Sequence, residues 1–191
     1  MRLSRRVVVA ISIASIAVTA LAGCTVNINA PQGSSQSETA DFSGMDIMFA
    51  QMMIPHHQQA VDMSTLAETN TENQLILDLA AQIKGAQAPE IEQMTAWLNG
   101  AGASIDMGHD MGHDMGGMLT DEQMEQLAAA KGDDFDRLYL EGMIEHHTGA
   151  IEMAQAALDG GENPDVLELA QQVIDGQSAE ITTMQEILDS L

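Results

Sequence analysis

The sequence has a single cysteine, Cys24, so no internal disulfide can staple the fold. Lysine and arginine together number six against 29 aspartates and glutamates, a formal net charge of −23 at pH 7. Nucleic acid is therefore excluded as a partner, because a phosphate backbone is held by basic side chains. Aromatic residues make up 3% of the chain, which leaves methionine, leucine, isoleucine and alanine to fill the core. Apolar runs are short: the longest, Val7–Ala20, cannot comfortably cross a bilayer. Nothing has the spacing of a Ser/His/Asp triad, a phosphate loop or an acid/base carboxylate pair, so no catalysis is expected. No predicted helix carries the Glu-x-x-His spacing of di-iron carboxylate proteins either.

What is present begins with a processing signal. Arg2, Arg5 and Arg6 precede the apolar run, and "LAGC" at 21–24 closes it. Residues 1–23 are thus expected to be a lipoprotein signal peptide, with Cys24 lipidated after cleavage. "SRRVVV" at 4–9 resembles a twin-arginine signal, which leaves the export route open. Cleavage would leave Lys84, Lys131 and Arg137 against all 29 acidic residues, a net charge of −26. Such a field concentrates cations. Residues 24–40, rich in Pro, Gly and Ser after the cysteine, suit a flexible tether. The remaining 41–191 suffice for one domain with a real core.

Within that domain the chain repeats itself. Residues 46–98 align without a gap on 136–188, pairing Asp46 with Asp136, Phe49 with Tyr139, Met53 with Met143 and Met63 with Met153. Further on, Gln87 and Glu90 fall on Gln177 and Glu180. Each copy has helical periodicity, as in Ile76, Leu79, Ala80, Ile83, Ala86, Glu90, Met94 and Leu98. Capping signals at Thr71 with Gln74 and at Asn163-Pro164, and ends at Asn99-Gly100 and Gly160-Gly161, predict helices near 44–69, 72–98, 133–159 and 163–190. Short connections make each copy an antiparallel hairpin. The expected architecture is all-α, a four-helix bundle of two duplicated hairpins, joined by an insertion at 101–132 that holds a short capped helix at 120–130.

"MIPHHQQAVDM" at 53–63 returns as "MIEHHTGAIEM" at 143–153, so four of the six histidines form two adjacent pairs. At ~100° per residue, Met53, His56, His57, Ala60 and Met63 occupy an arc of about 120°, the stripe that should face the core. Methionines at this spacing often only pack, and a buried histidine often only satisfies a carbonyl or carboxylate. Two copies meeting across a pseudo-twofold axis would bring imidazoles and thioethers together, an expensive core unless something binds there. The candidate metal ligands are therefore Met53, His56, His57, Met63, Met143, His146, His147 and Met153. Imidazole with thioether and no thiolate favours copper(I), or silver(I), over zinc, magnesium or calcium. Asp46 and Asp136 could orient an imidazole as acceptors, or cap a helix start. Pro55 opposite Glu145 predicts that the two copies differ.

The insertion adds "DMGHDMGHDMGGM" at 106–118, with a period of four. So much glycine argues against a helix and for a mobile secondary metal arm built from Met107, His109, Met111, His113, Met115 and Met118.

The doubled D-x-x-F/Y-x-x-x-M-x-x-H-H-x-x-A-x-x-M pattern resembles the DUF305 family across about residues 41–190. The resemblance implies an exported bacterial protein with a ferritin-like four-helix fold. Some members of that family are linked to copper binding and copper tolerance, which implies such a role for the two histidine pairs and their methionines. The expectation is a copper(I)-binding lipoprotein that buffers, sequesters or transfers copper. It would sit on the outer face of the cytoplasmic membrane or on the periplasmic side, with a copper-handling protein or a second copy as partner. The rival readings are a metal-dependent oxidoreductase and a lipid-anchored helical scaffold without metal.

Overall fold

The computed structural model describes residues 41–106 and 116–191. The expected signal peptide, Cys24, the tether, and Met107, His109, Met111, His113 and Met115 of the arm lie outside the described residues. These contain five α-helices and no strand: α1 Gly44–Asn70, α2 Gln74–Ala101, α3 Asp121–Ala129, α4 Asp133–Gly160 and α5 Pro164–Ser190. None of them is long and apolar enough to cross a membrane.

The helix limits follow local chemistry. Ser43 and Asp46 form a reciprocal capping box at the start of α1, and Thr120 with Gln123 does the same for α3. Asn163 caps α5 ahead of Pro164, as expected. Helix α2 departs from expectation at both ends. Its cap is Asn73, whose side chain accepts from the Leu75 N–H, while Thr71 closes α1 and accepts from the Asn73 N–H. At the far end α2 runs past Asn99-Gly100 to Gly102, whose φ of 68° is the left-handed conformation that only glycine adopts cheaply. Helix α1 continues unbroken through Pro55.

Helices α1 and α2 pack as one hairpin and α4 and α5 as the other; α1 lies against α4, and α3 rests on both. The core is divided in two. One apolar cluster takes Ala60, Met63 and Ala67 of α1, Ile76–Ile83 of α2, Phe135–Met143 of α4 and Met184 and Ile187 of α5. The other takes Phe49–Ile54, Met94 and Leu98, Ala150–Ala157 and Val166–Val173. On every long helix a buried polar position separates the two: His56 and His57, Gln87, His146 and His147, and Gln177 with Glu180. The duplicated sequence thus produces a polar layer across the middle of the molecule.

Candidate metal centre

All four imidazoles are fully buried in that layer. The rings of His56 and His146 lie against each other, centroids 3.8 Å apart, and His146 and His147 are 6.2 Å apart. Each Nε2 has a defined partner. His57 Nε2 is 2.8 Å from Glu90 Oε2, and His147 Nε2 is 2.8 Å from Glu180 Oε2. His146 Nε2 faces the carbonyl of His56 at 2.9 Å, and His56 Nε2 the carbonyl of Gly116 at 3.2 Å. A nitrogen facing a carbonyl must carry the hydrogen, and a carboxylate likewise accepts one. In the neutral ring Nδ1 is then a bare lone pair. All four Nδ1 atoms are buried and have no hydrogen-bond partner.

That is an expensive arrangement for a purely structural core, since a buried acceptor left unpaired costs about 1–3 kcal/mol. It is what a soft cation needs: imidazoles oriented from behind, with buried donor atoms left free. Burial holds His56 far below its ordinary value, at about 3, helped by the neighbouring rings of His57 and His147. His146 is pushed down by burial and then by the rings of His56, His147 and His57. Both therefore stay neutral and competent to ligate well into the acid range.

Glu90 on α2 and Glu180 on α5, paired by the repeat but not among the expected site residues, stand at the back of this site. Their signal was there: each is a charged residue on an otherwise apolar stripe, and each occurs in both copies. Glu180 is held further by Gln82, which donates to its Oε1 at 3.0 Å. Gln87 and Gln177, one turn earlier on the same helices, also have buried amide atoms without partners. Of the two roles expected for Asp46 and Asp136, orienting an imidazole is corrected, while capping a helix start holds for Asp46, which completes the Ser43 box. Asp46 accepts from the Ser43, Glu162 and Asn163 N–H groups, and Asp136 from the Asn73 side chain. Each carboxylate ties the start of one hairpin to the turn of the other, remote from the rings.

The methionines divide. Met63 and Met143 share the cluster on one side of the histidine layer, Met53 lies in the other, and Met153 is half-buried against it. The crossing of α1 over α4 thus places one pair on each side of the layer. Among the described residues no group of three or more His, Cys, Asp or Glu is arranged to hold an ion by itself, so thioethers would have to complete any ligand set.

The two copies do differ, and not only at Pro55 and Glu145. Position 59 is glutamine where the second copy has Gly149. A strap of backbone after the DMGH run explains both. It crosses α4 so closely that a Cβ on Gly149 would stand 1.8 Å from the Gly116 oxygen, and Gly117 turns there with φ 83°. Gln59 then clasps Leu119 from α1, donating to its carbonyl at 2.9 Å and accepting from its N–H at 2.7 Å. The carbonyl that holds His56 thus belongs to Gly116, between Met115 and Met118 of the arm. Of its residues only Met118 is described, half-buried on the strap.

Known proteins share this organisation. A DUF305 protein of Streptomyces coelicolor, predicted to be secreted, is 31% identical with a TM-score of 0.73, over 76% of this chain and 93% of that one. A DUF305 fragment from Deinococcus radiodurans gives 30% and 0.73, over 78% and 99%. CopM in its Cu(I)-bound form gives 31% and 0.66, over 76% and 96%, and CopM has also been solved with Cu(II) and with silver. A shorter match, 41% over 54 residues, is to uncharacterized protein L153 of Acanthamoeba polyphaga mimivirus; it spans 28% of this chain and 36% of that relative. Residues 46–188 match the profile of DUF305, a domain of unknown function, and the chain belongs to that family.

Proposed function

We propose that this protein binds copper(I) outside the cytoplasm, buffering or passing on the ion, and that silver(I) competes for the same ligands. The reading rests on the four buried Nδ1 lone pairs without partners, set between two pairs of methionines. His56, His57, His146 and His147 would supply nitrogen, and Met53, Met63, Met143 and Met153 sulfur, a donor set suited to a soft monovalent ion. The copper- and silver-bound forms of CopM support it. Rings shut off from solvent suit the holding of a bare ion better than the admission of a substrate, so the role is binding and not turnover. The four long helices, in two hairpins related by the internal repeat, are read as a ferritin-like bundle, with α3 and the arm as additions. Export with lipidation at Cys24 would place the site at a membrane surface, and the arm would capture copper more weakly and exchange it faster than the rigid core.

Anaerobic copper(I) titration of the full chain against a competing chelator tests this. Tight binding is expected, and lost when His56, His57, His146 and His147 are all replaced by glutamine, which keeps hydrogen-bonding capacity. A variant that binds as tightly as the parent would make the histidines structural.

A further inference from the structure

Among the described residues three methionines, Met45, Met48 and Met52, belong to neither the apolar core nor the arm. Met45, Met48 and Met52 rise along one face of α1, and with Met153 of α4 they line a single surface groove of about 280 Å³. Among the described residues six methionines are not buried, and these are four of them. Met48 is 44% exposed.

The internal repeat shows that this crevice could have been closed. Ninety positions on, the separation between His56 and His146, the counterparts of Met45, Met48 and Met52 are Phe135, Leu138 and Gly142. In that half of the α1–α4 crevice Phe135 is buried and the chain supplies the packing, although Leu138 is 38% exposed. Leu119 reaches to 3.1 Å of where a Cβ on Gly142 would be, and Leu127 of α3 is buried in the same cluster. The Met45 half is left open and carries thioethers instead. Its lining includes Gly116, whose carbonyl holds His56 Nε2 at 3.2 Å, and Glu152, whose carboxylate oxygen would lie 3.6 Å from a Cβ on Gly116.

We infer that the groove of Met45, Met48 and Met52, with Met153 as the thioether it shares with the buried site, is a surface site for a soft monovalent cation, the port through which copper(I) or silver(I) reaches the buried histidines. The inference deepens the copper reading and rests on it. Thioethers hold such ions without titrating, and solvent-facing sulfurs exchange a ligand readily. The ion would pass by ligand exchange, one thioether leaving as the next donor enters, with no change of oxidation state. Glu152 adds negative charge at the mouth.

The full chain, carrying ¹³C-labelled methionine methyls, is titrated with Ag⁺, and uptake is then followed by stopped flow. The methyl signals of Met45, Met48 and Met52 are expected to shift in fast exchange. In the triple variant Met45→Leu, Met48→Leu, Met52→Leu, which conserves volume, Ag⁺ should fill the histidine layer to the same final extent but about tenfold more slowly, since the ion is no longer concentrated beside it. Met48→Leu alone, at an exposed position that cannot upset the core, should show a smaller slowing of the same sign. Unshifted methyls and unchanged loading in both variants would overturn the port and leave the histidine site standing. Absence of Ag⁺ binding anywhere would overturn both.

Discussion

At the scale of single residues, the chemistry turns on which ring nitrogen carries the proton. Glu90 and Glu180 each accept from an Nε2–H and so direct Nδ1 inward. The two are not equivalent: the Glu180 side chain is 10% exposed and anchored by Gln82, whereas that of Glu90 is 22% exposed. Glu180→Gln should therefore weaken copper(I) by about 10- to 100-fold, the usual consequence of losing a carboxylate behind a ligating imidazole, and Glu90→Gln by less. Competition titration of the two variants checks the order; equal and negligible effects would mean that the carboxylates merely satisfy the rings.

Among the elements, the strap from Gly116 to Leu119 is where the two copies of the repeat are met differently, Gln59 clasping it and Gly149 lying beneath it. Gly149 exists to let backbone approach backbone, so Gly149→Ala must lift the strap off α4 and take the Gly116 carbonyl away from His56. A loss of about 1–3 kcal/mol is expected, together with faster amide exchange at 116–120. Gly85 and Gly176 make the contrast. Both are helical with open space around a would-be Cβ, and alanine at either should stabilise by roughly 0.5–1 kcal/mol. Denaturant unfolding of the three variants separates close approach from mere backbone freedom; equal effects at all three sites would refute the strap argument.

For the whole molecule, the buried layer sets the response to acid. His56 and His146 titrate well below the free value of 6.5 in the folded protein, so the unfolded chain takes up their protons first. Their contribution is complete above about pH 6.5 and is lost progressively below it, for His56 down toward about pH 3, at up to about 1.4 kcal/mol per pH unit for a ring that the unfolded chain protonates and the folded one does not. The two rings touch, so the second proton is harder to add than the first. Metal-free protein should therefore lose stability between pH 6.5 and 4 more steeply than a His56→Gln, His146→Gln variant, by chemical denaturation at fixed ionic strength. Parallel curves would show that other groups dominate. Bound copper should offset the loss, because it stabilises only the folded state.

Much of this was written in local sequence. Helix limits came from caps and glycines within a few residues of the ends, and the duplication from residues matching at a fixed offset; the burial of His56, His57, His146 and His147 followed from a 3.6-residue period. Each is a short-range signal, and it survives because a stripe of one character can only face the core. What lay across the helix interfaces was not legible. Asp46 and Asp136 looked like partners of the imidazoles because they share their face, yet they bond to turns 63 or more residues away. Glu90 and Glu180 could be seen on a buried stripe, but nothing local says which ring they meet. The methionines, uniform along one stripe, were divided by the crossing of α1 over α4 into pairs either side of the histidine layer. Periodicity fixes which side of a helix is buried, whereas the neighbour found there depends on how two helices slide and cross, and only the packing of the complete fold decides that.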